Sequence, residues 1–345
     1  MSCHLFTVIL RKFSKIARLL QAFFVYLHSK TNAKNEEDMS SRTEKIHQKI
    51  RRHLLLGGIV IAILATALII EGVAYLDARQ ENKDRALIMA EQGLSMTAQR
   101  IESFLLEVEE ATNGLRPLVL ANMKPDSLME YAHRMTVEHP NFNGCSITTE
   151  PNYFPQYGRY FSVYSLRLAD SVKTVREGPY EYYEKIWYKM PSTLGRGCWT
   201  DPYDDYNTGT LYSTDMIASY GLPLYNQKSE LIGVISTDLS LPRLSKIITE
   251  RNPYETSYCF MLGKDGHYFV HPDSTRLFTR TIFEGIDSLA HPDIYALGHE
   301  MLEGKAGQMD VVINDTDHIV LYKPLKRAGW SIALVCPKDR LTEDF

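Results

Sequence analysis

The stretch EKIWYKMPSTLGRGCWTDPYDD, Glu184 to Asp205, gathers two Trp, two Tyr, three Asp and several basic residues around Pro and Gly. Trp187, Tyr188, Trp199 and Tyr203 offer aromatic faces, and such a face attracts an ammonium group. Asp205 and, further on, Asp238 can pair with the same ammonium, while Lys185 can hold a carboxylate. A mostly apolar wall with a few convergent charges is how small charged ligands are held. The same rings can equally serve as packing for a domain interior. Asp201, Asp204 and Asp205 lack the loop spacing and Gly of an EF-hand, so calcium binding has no more support than loop solvation. His267 and His271 are four apart on a predicted strand, with no third ligand nearby, and a role in solvent or in hairpin packing is expected. No metal site follows.

Enzymatic motifs are missing too. There is no G-x-S-x-G, H-E-x-x-H, Walker loop or G-x-G-x-x-G, so no catalytic residue and no cofactor is expected.

The elements that would position these residues begin with Leu54–Ile70, seventeen residues without a charge, continuing to Leu76. A helix of about 20 apolar residues crosses about 30 Å of hydrocarbon. Eleven Lys or Arg against four Asp or Glu precede Leu54, which leaves 27 against 38 for the remainder. That asymmetry puts the N-terminus in the cytoplasm and residues 77–345 outside. The basic excess borders an apolar run, which argues against nucleic acid. Fifty-three residues before the run argue against a cleaved signal. In the first 30 residues Ile9, Phe13, Ile16, Leu20, Phe23 and Leu27 keep helical spacing away from Arg11, Lys12, Lys15 and Arg18, as in a helix lying on the inner leaflet. Met39 is an equally good start.

From Asp77 to about Leu115 apolar residues follow a 3.6-residue period without Pro, predicting one long helix. Short β-like runs follow at 144–149, 159–165, 211–225 and 230–241. A second set lies at 256–263, 267–271, 307–314, 318–325 and 329–336, with Asp265-Gly266 as a hairpin turn. The fold class is α+β: one transmembrane helix, then a long helix carrying two similar antiparallel-sheet modules. Five widely spaced Cys without a CxxC pair suggest free thiols and no zinc.

Several segments together resemble the double Cache (dCache) sensors of bacterial transmembrane signalling proteins. They are E-P-N-Y-F (150–154), G-R-Y-F-S (158–162), W-Y (187–188), W-T-D-P-Y (199–203), G-V-I-S-T-D-L-S-L (233–241), D-G-H-Y-F-V-H-P-D (265–273) and G-W-S-I-A-L-V-C-P (329–337). The resemblance covers residues 77–340. It implies a cytoplasmic segment at 1–53, a transmembrane helix at 54–76, a signalling helix at 77–115, and membrane-distal and membrane-proximal PAS-like modules at 116–250 and 251–345. It implies a ligand site in the distal module at Tyr180, Lys185, Trp187, Tyr188, Tyr203, Asp205 and Asp238, with Asp215 on the strand opposite as a further candidate. Lys185 departs from the family's usual Arg, and a point charge replaces the planar fork that fits a carboxylate. The implied partners are a zwitterionic or anionic small molecule, the membrane, and a second copy docked through the long helix. The implied role is the sensory part of a histidine kinase, a phosphatase 2C-type protein or a chemoreceptor. Such sensors run on into a second membrane helix, HAMP and output domain, which residues 1–345 do not encode. The rival readings are an extracytoplasmic enzyme and a structural ectodomain.

Overall fold

The structure, a computed structural model, describes Gln21 and residues 39–169, 171–204, 209–249 and 256–344. The surface helix expected in the first 30 residues and the candidate Asp205 lie outside the described residues. The chain divides into two units, Met1–Asp77 and Ala78–Phe345.

Helix α1 runs from Met39 to Ala121. In the first unit it holds an 18-residue window of mean hydropathy 2.6, none of it buried, long and apolar enough by length and composition to cross a membrane. In the second unit the pattern changes. Ala86, Ala90, Leu94, Ala98, Ile101, Leu105, Val108, Thr112, Leu115 and Val119 are buried at steps of three or four, the stripe that one helix face presents to a core. The helix continues beyond the expected end at Leu115 and through Pro117. Pro117 is exposed near the C-terminal end, so its ring meets solvent and the loss is confined to one intrahelical hydrogen bond. Helix α2, Pro125–Glu138, starts on Pro at its first turn after an extended Lys124, where a missing N–H is harmless.

The first sheet contains β1 (Gly144–Thr149), β2 (Ser162–Leu168), β3 (Ser171–Arg176), β4 (Cys198–Trp199), β5 (Ile217–Tyr225) and β6 (Leu231–Ser240), with helix α3 (Ile186–Leu194) between β3 and β4. Its order is β3-β2-β1-β6-β5-β4, antiparallel throughout. Helix α4 (Leu241–Thr249) leads onward. The second sheet contains β7 (Tyr258–Leu262), β8 (Tyr268–Val270), β9 (Gly307–Ile313), β10 (Thr316–Leu325) and β11 (Trp330–Pro337), with α5 (Pro292–Leu302) before β9 and α6 (Leu341–Asp344) at the end. Its order is β8-β7-β11-β10-β9. This is the expected α+β architecture of a long helix with two antiparallel sheets. Strand β3 and the short β4 were not anticipated: SVKTVR alternates half-buried with exposed positions, as an edge strand does, and has no apolar run to announce it.

The Lys264-Asp265-Gly266 turn does join β7 to β8, with Gly266 at φ +84, a left-handed conformation that glycine adopts without strain. Strand β8 ends at Val270, however, so His267 and His271 do not sit together on a strand face. His267 Nδ1 lies 2.9 Å from Asp265 Oδ2 at the surface. His271 packs against Tyr268, Tyr258 and Phe260 with ring centroids 5.1, 5.6 and 6.3 Å away. Among the described residues no group of three or more His, Cys, Asp or Glu is placed to hold a metal, and Cys145, Cys198, Cys259 and Cys336 are free thiols.

The two sheets and α1 meet at a cluster of indoles. Trp199 Nε1 donates to Glu109 Oε1 at 2.9 Å, and Trp330 Nε1 donates to Asp201 Oδ1 at 2.9 Å. The Trp199 and Trp330 rings lie 6.1 Å apart. Lys264 Nζ donates to Trp199 O at 2.6 Å, and Arg327 Nη1 to Glu109 Oε2 at 2.7 Å. Burial raises the Asp201 carboxyl above the ordinary range, with Lys264 partly offsetting it.

Candidate functional site

Strand β6 alternates its side chains between the two faces of the first sheet. Ser236 and Asp238 face away from α1, and Ser146 on β1 and Ser162 and Tyr164 on β2 line the same cleft. Helix α3 closes it from above with Trp187 and lies flush on β5. A Cβ at Gly221 would come 2.6 Å from Pro191 Cγ and 2.9 Å from Trp187 O. Tyr180, Tyr203, Leu211 and Glu177 complete the lining. The void is about 320 Å³ counted to its open mouth, yet only about 20 Å³ of it accepts the centre of a water molecule. In this arrangement the cleft holds roughly one water.

Asp238 is 4% exposed and held from two sides. Its Oδ2 accepts from Tyr164 Oη at 2.9 Å, and its Oδ1 accepts from Ser219 Oγ at 2.6 Å and from Ser236 Oγ at 3.3 Å. Gly144 stands opposite Asp238 in the ladder. A Cβ there would meet Tyr164 Oη and Cε2 at 2.9 Å, so its absence makes room for the tyrosine. Tyr203 extends the network by sharing a 2.7 Å hydrogen bond with Ser219. Hydrogen bonds of this kind fix the direction of the carboxylate. Burial raises the nearby Cys145 thiol, and the Asp238 charge raises it further.

Glu177, just after β3, is 6% exposed. Its Oε2 accepts from Thr210 N at 2.6 Å and its Oε1 from Leu211 N at 3.2 Å. A Cβ at Gly209 would fall 2.2 Å from Oε2, so the bare backbone there lets the loop close on this carboxylate.

Of the candidates read from the sequence, Tyr180, Trp187, Tyr203 and Asp238 come together in the cleft. The other described candidates do not line it. Tyr188 packs with Tyr182, Trp187 and Val234 and donates to Glu150 Oε1 at 2.5 Å; burial, then that hydrogen bond, pushes its hydroxyl well up, which keeps it a donor. Lys185 is the N-cap of α3, half-buried at the helix entrance. Asp215 is half-buried in the approach to β5, its N–H bonded to Ser213 Oγ at 3.1 Å. The sequence reading missed Glu177, Tyr164, Leu211 and the serines. In GCSITT, SVYS and VISTDLS polar side chains recur at alternate positions (Ser146 and Thr148, Ser162 and Tyr164, Ser236 and Asp238), and that period of two was the available signal.

The Cache domain family profile matches residues 10–345. The chain belongs to the Cache domain family. It is a sensor domain of the extracytoplasmic, ligand-binding kind, on the evidence of that family. The methyl-accepting chemotaxis protein McpA of Pseudomonas putida is 24% identical over 311 residues, covering 88% of this chain and 42% of McpA. The chain thus spans less than half the length of that relative. Among solved structures, the extracellular domain of soHK1S-Z6, described as a histidine kinase, is similar at TM-score 0.61 and 22% identity, covering 77% of this chain and 98% of that one. The ligand-binding domain of the Pseudomonas aeruginosa amino acid chemoreceptor PctC, in complex with GABA, is similar at TM-score 0.51 and 21% identity, covering 73% and 99%. These similarities show the Cache fold of a long helix with two sheets.

Proposed function

We propose that this Cache chain is the sensing part of a membrane receptor that binds a small molecule through a positively charged amine. The observation that carries the reading is Asp238, buried in an aromatic-walled cleft and aimed by three hydroxyl donors. Glu177 is a second acid in that lining, and the described lining contains no Lys or Arg. Aromatic faces at Trp187, Tyr180 and Tyr203 suit the same cation. An amine-bearing zwitterion fits if its carboxylate stays near the mouth, and the GABA bound by PctC is of this class. A simple anion fits poorly, because Lys185 stands outside the lining. Residues 54–76 anchor the chain in the membrane, with the N-terminus cytoplasmic and residues 77–345 outside, the first sheet forming the membrane-distal module. The reading is non-enzymatic, with the response generated by a histidine kinase, phosphatase or chemotaxis output. Ile88, Met89 and Met96, each more than half exposed on α1, supply apolar surface for a second copy.

Thermal-shift measurements on the detergent-solubilised chain test this, using putrescine, γ-aminobutyrate, L-arginine, acetate and citrate. A binder at 100 times its Kd stabilises by about 2.7 kcal/mol. Stabilisation by one or more of the amines and by neither acetate nor citrate is expected. Stabilisation by acetate or citrate alone overturns the amine reading.

A further inference from the structure

The cleft reaches the long helix through one strand. Thr237, next to Asp238 on β6, points to the opposite face, where its hydroxyl shares a 2.7 Å hydrogen bond with Thr112 of α1. Both threonines are fully buried. Thr112 Oγ1 is also 2.7 Å from Val108 O in its own helix. Around them the interface is apolar, with Cys145, Ile147, Ile235, Leu239, Val108 and Leu115 in one core. Separating the pair is costly because, although Thr112 keeps its hydrogen bond to Val108 O, the Thr112–Thr237 hydrogen bond is lost without water to replace it.

The register makes the contact part of a row. Trp199 on β4 is paired with Tyr220 on β5, and Tyr220 with Thr237 on β6. Each meets one turn of α1: Trp199 Nε1 at Glu109 Oε1 (2.9 Å), Tyr220 Oη at Asn113 Nδ2 (3.4 Å) and Thr237 at Thr112. The adjacent row, Ser219 paired with Asp238, carries the hydrogen bond that holds the cleft carboxylate. One row therefore faces the cleft and the next faces the helix, because side chains alternate along a strand.

We infer that Thr112 and Thr237 are positioning residues of the sensing event, coupling the state of Asp238 to α1 across the sheet. The inference rests on the cleft being the ligand site but not on which ligand enters. A cleft with room for one water must part its walls for anything larger, so a shift of β6 accompanies occupation, and the buried pair transfers it to residues 109–113. Coupling of this sort needs an element biased from both ends, and a double-mutant cycle measures it.

The test uses the full chain in detergent and a mutation in place of a ligand. Amide hydrogen exchange over residues 105–116 is compared in the parent, Asp238→Asn, Thr112→Val and the double variant. Asp238→Asn should change exchange there by about threefold or more. The change should vanish in the Thr112→Val background and return with Thr112→Ser, which keeps the hydroxyl. A merely structural threonine would alter the baseline but leave the response to Asp238→Asn intact. An equal response in Thr112→Val, or no response in the parent, overturns the inference. If Asp238→Asn does not fold, Ser219→Ala perturbs the same carboxylate. If the amine screen fails while this cycle shows coupling, only the ligand assignment falls.

Discussion

The two sheets share an architecture and differ in what their strands bury. On the first, Ser146, Ser162, Ser219, Ser236 and Asp238 are all buried, and the cleft-lining members among them share one face with Tyr164. On the second, Phe260, Leu262, Val320, Ala333 and Val335 pack with Tyr268, Leu297 and Met301 into a continuous cluster. An aliphatic face closes dry on a helix and is stable when closed. A hydroxyl- and carboxylate-lined face cannot be sealed by apolar groups without stranding its polar atoms. That difference is what supports the proposal of sensing at the first sheet and support from the second.

The largest effect should come from damaging the supporting sheet. Phe260→Ala should lower stability by about 3–5 kcal/mol, read by urea unfolding, while amine binding to the folded fraction stays unchanged. A loss of binding at constant fold would mean that the second sheet also takes part in recognition. Asp238→Ala should leave the fold standing and weaken an amine probe by about 1.5–3 kcal/mol, roughly tenfold or more in Kd. Calorimetry showing parental affinity would move the ligand out of the first sheet.

Acid should act on the second sheet. Burial, followed by the Arg276 charge, holds His271 below its ordinary value of 6.5. Tyr258 and Tyr268 pack on the ring, and Asp273 opposes Arg276 by favouring its protonation. The unfolded chain therefore takes up this proton first. The neutral ring has no stability cost above pH about 6.5, and stability falls as the pH drops below that value toward the lower folded pKa. A melting series from about pH 7.5 to about pH 5 should show less acid sensitivity in His271→Phe, and an unchanged slope would remove His271 from the account. The smallest effect belongs to Lys185→Ala, which should alter amine affinity by no more than about twofold. A substantial loss would show that the lysine reaches a ligand carboxylate from the helix entrance.

Much of the fold was legible because its strands are runs of apolar and β-branched residues. GCSITT and WSIALVCP begin within a residue of where the runs start. Edge strand β3 was not, since a strand with one neighbour needs no apolar run. The site was half legible. Trp187, Tyr203 and Asp238 stand out by type, whereas Glu177 looks like any surface acid until Gly209 and the Thr210 and Leu211 amides fold onto it. Lys185 and Asp215 show the converse: proximity in sequence to an aromatic pair does not say which way a side chain leaves the chain.

The three tryptophans have an optical consequence. Trp187 lies in the cleft, and Trp199 and Trp330 form the ring pair where both sheets meet α1. The chain contains no other tryptophan, so its tryptophan emission, excited beyond tyrosine absorption, arises at the cleft and at that junction alone. Emission from Trp187 reports occupation of the cleft. Emission from the 6.1 Å pair reports any change in how the two indoles stack. Single Trp→Phe replacements separate the two signals, and the unlabelled chain then shows whether a ligand added to it is felt at the helix.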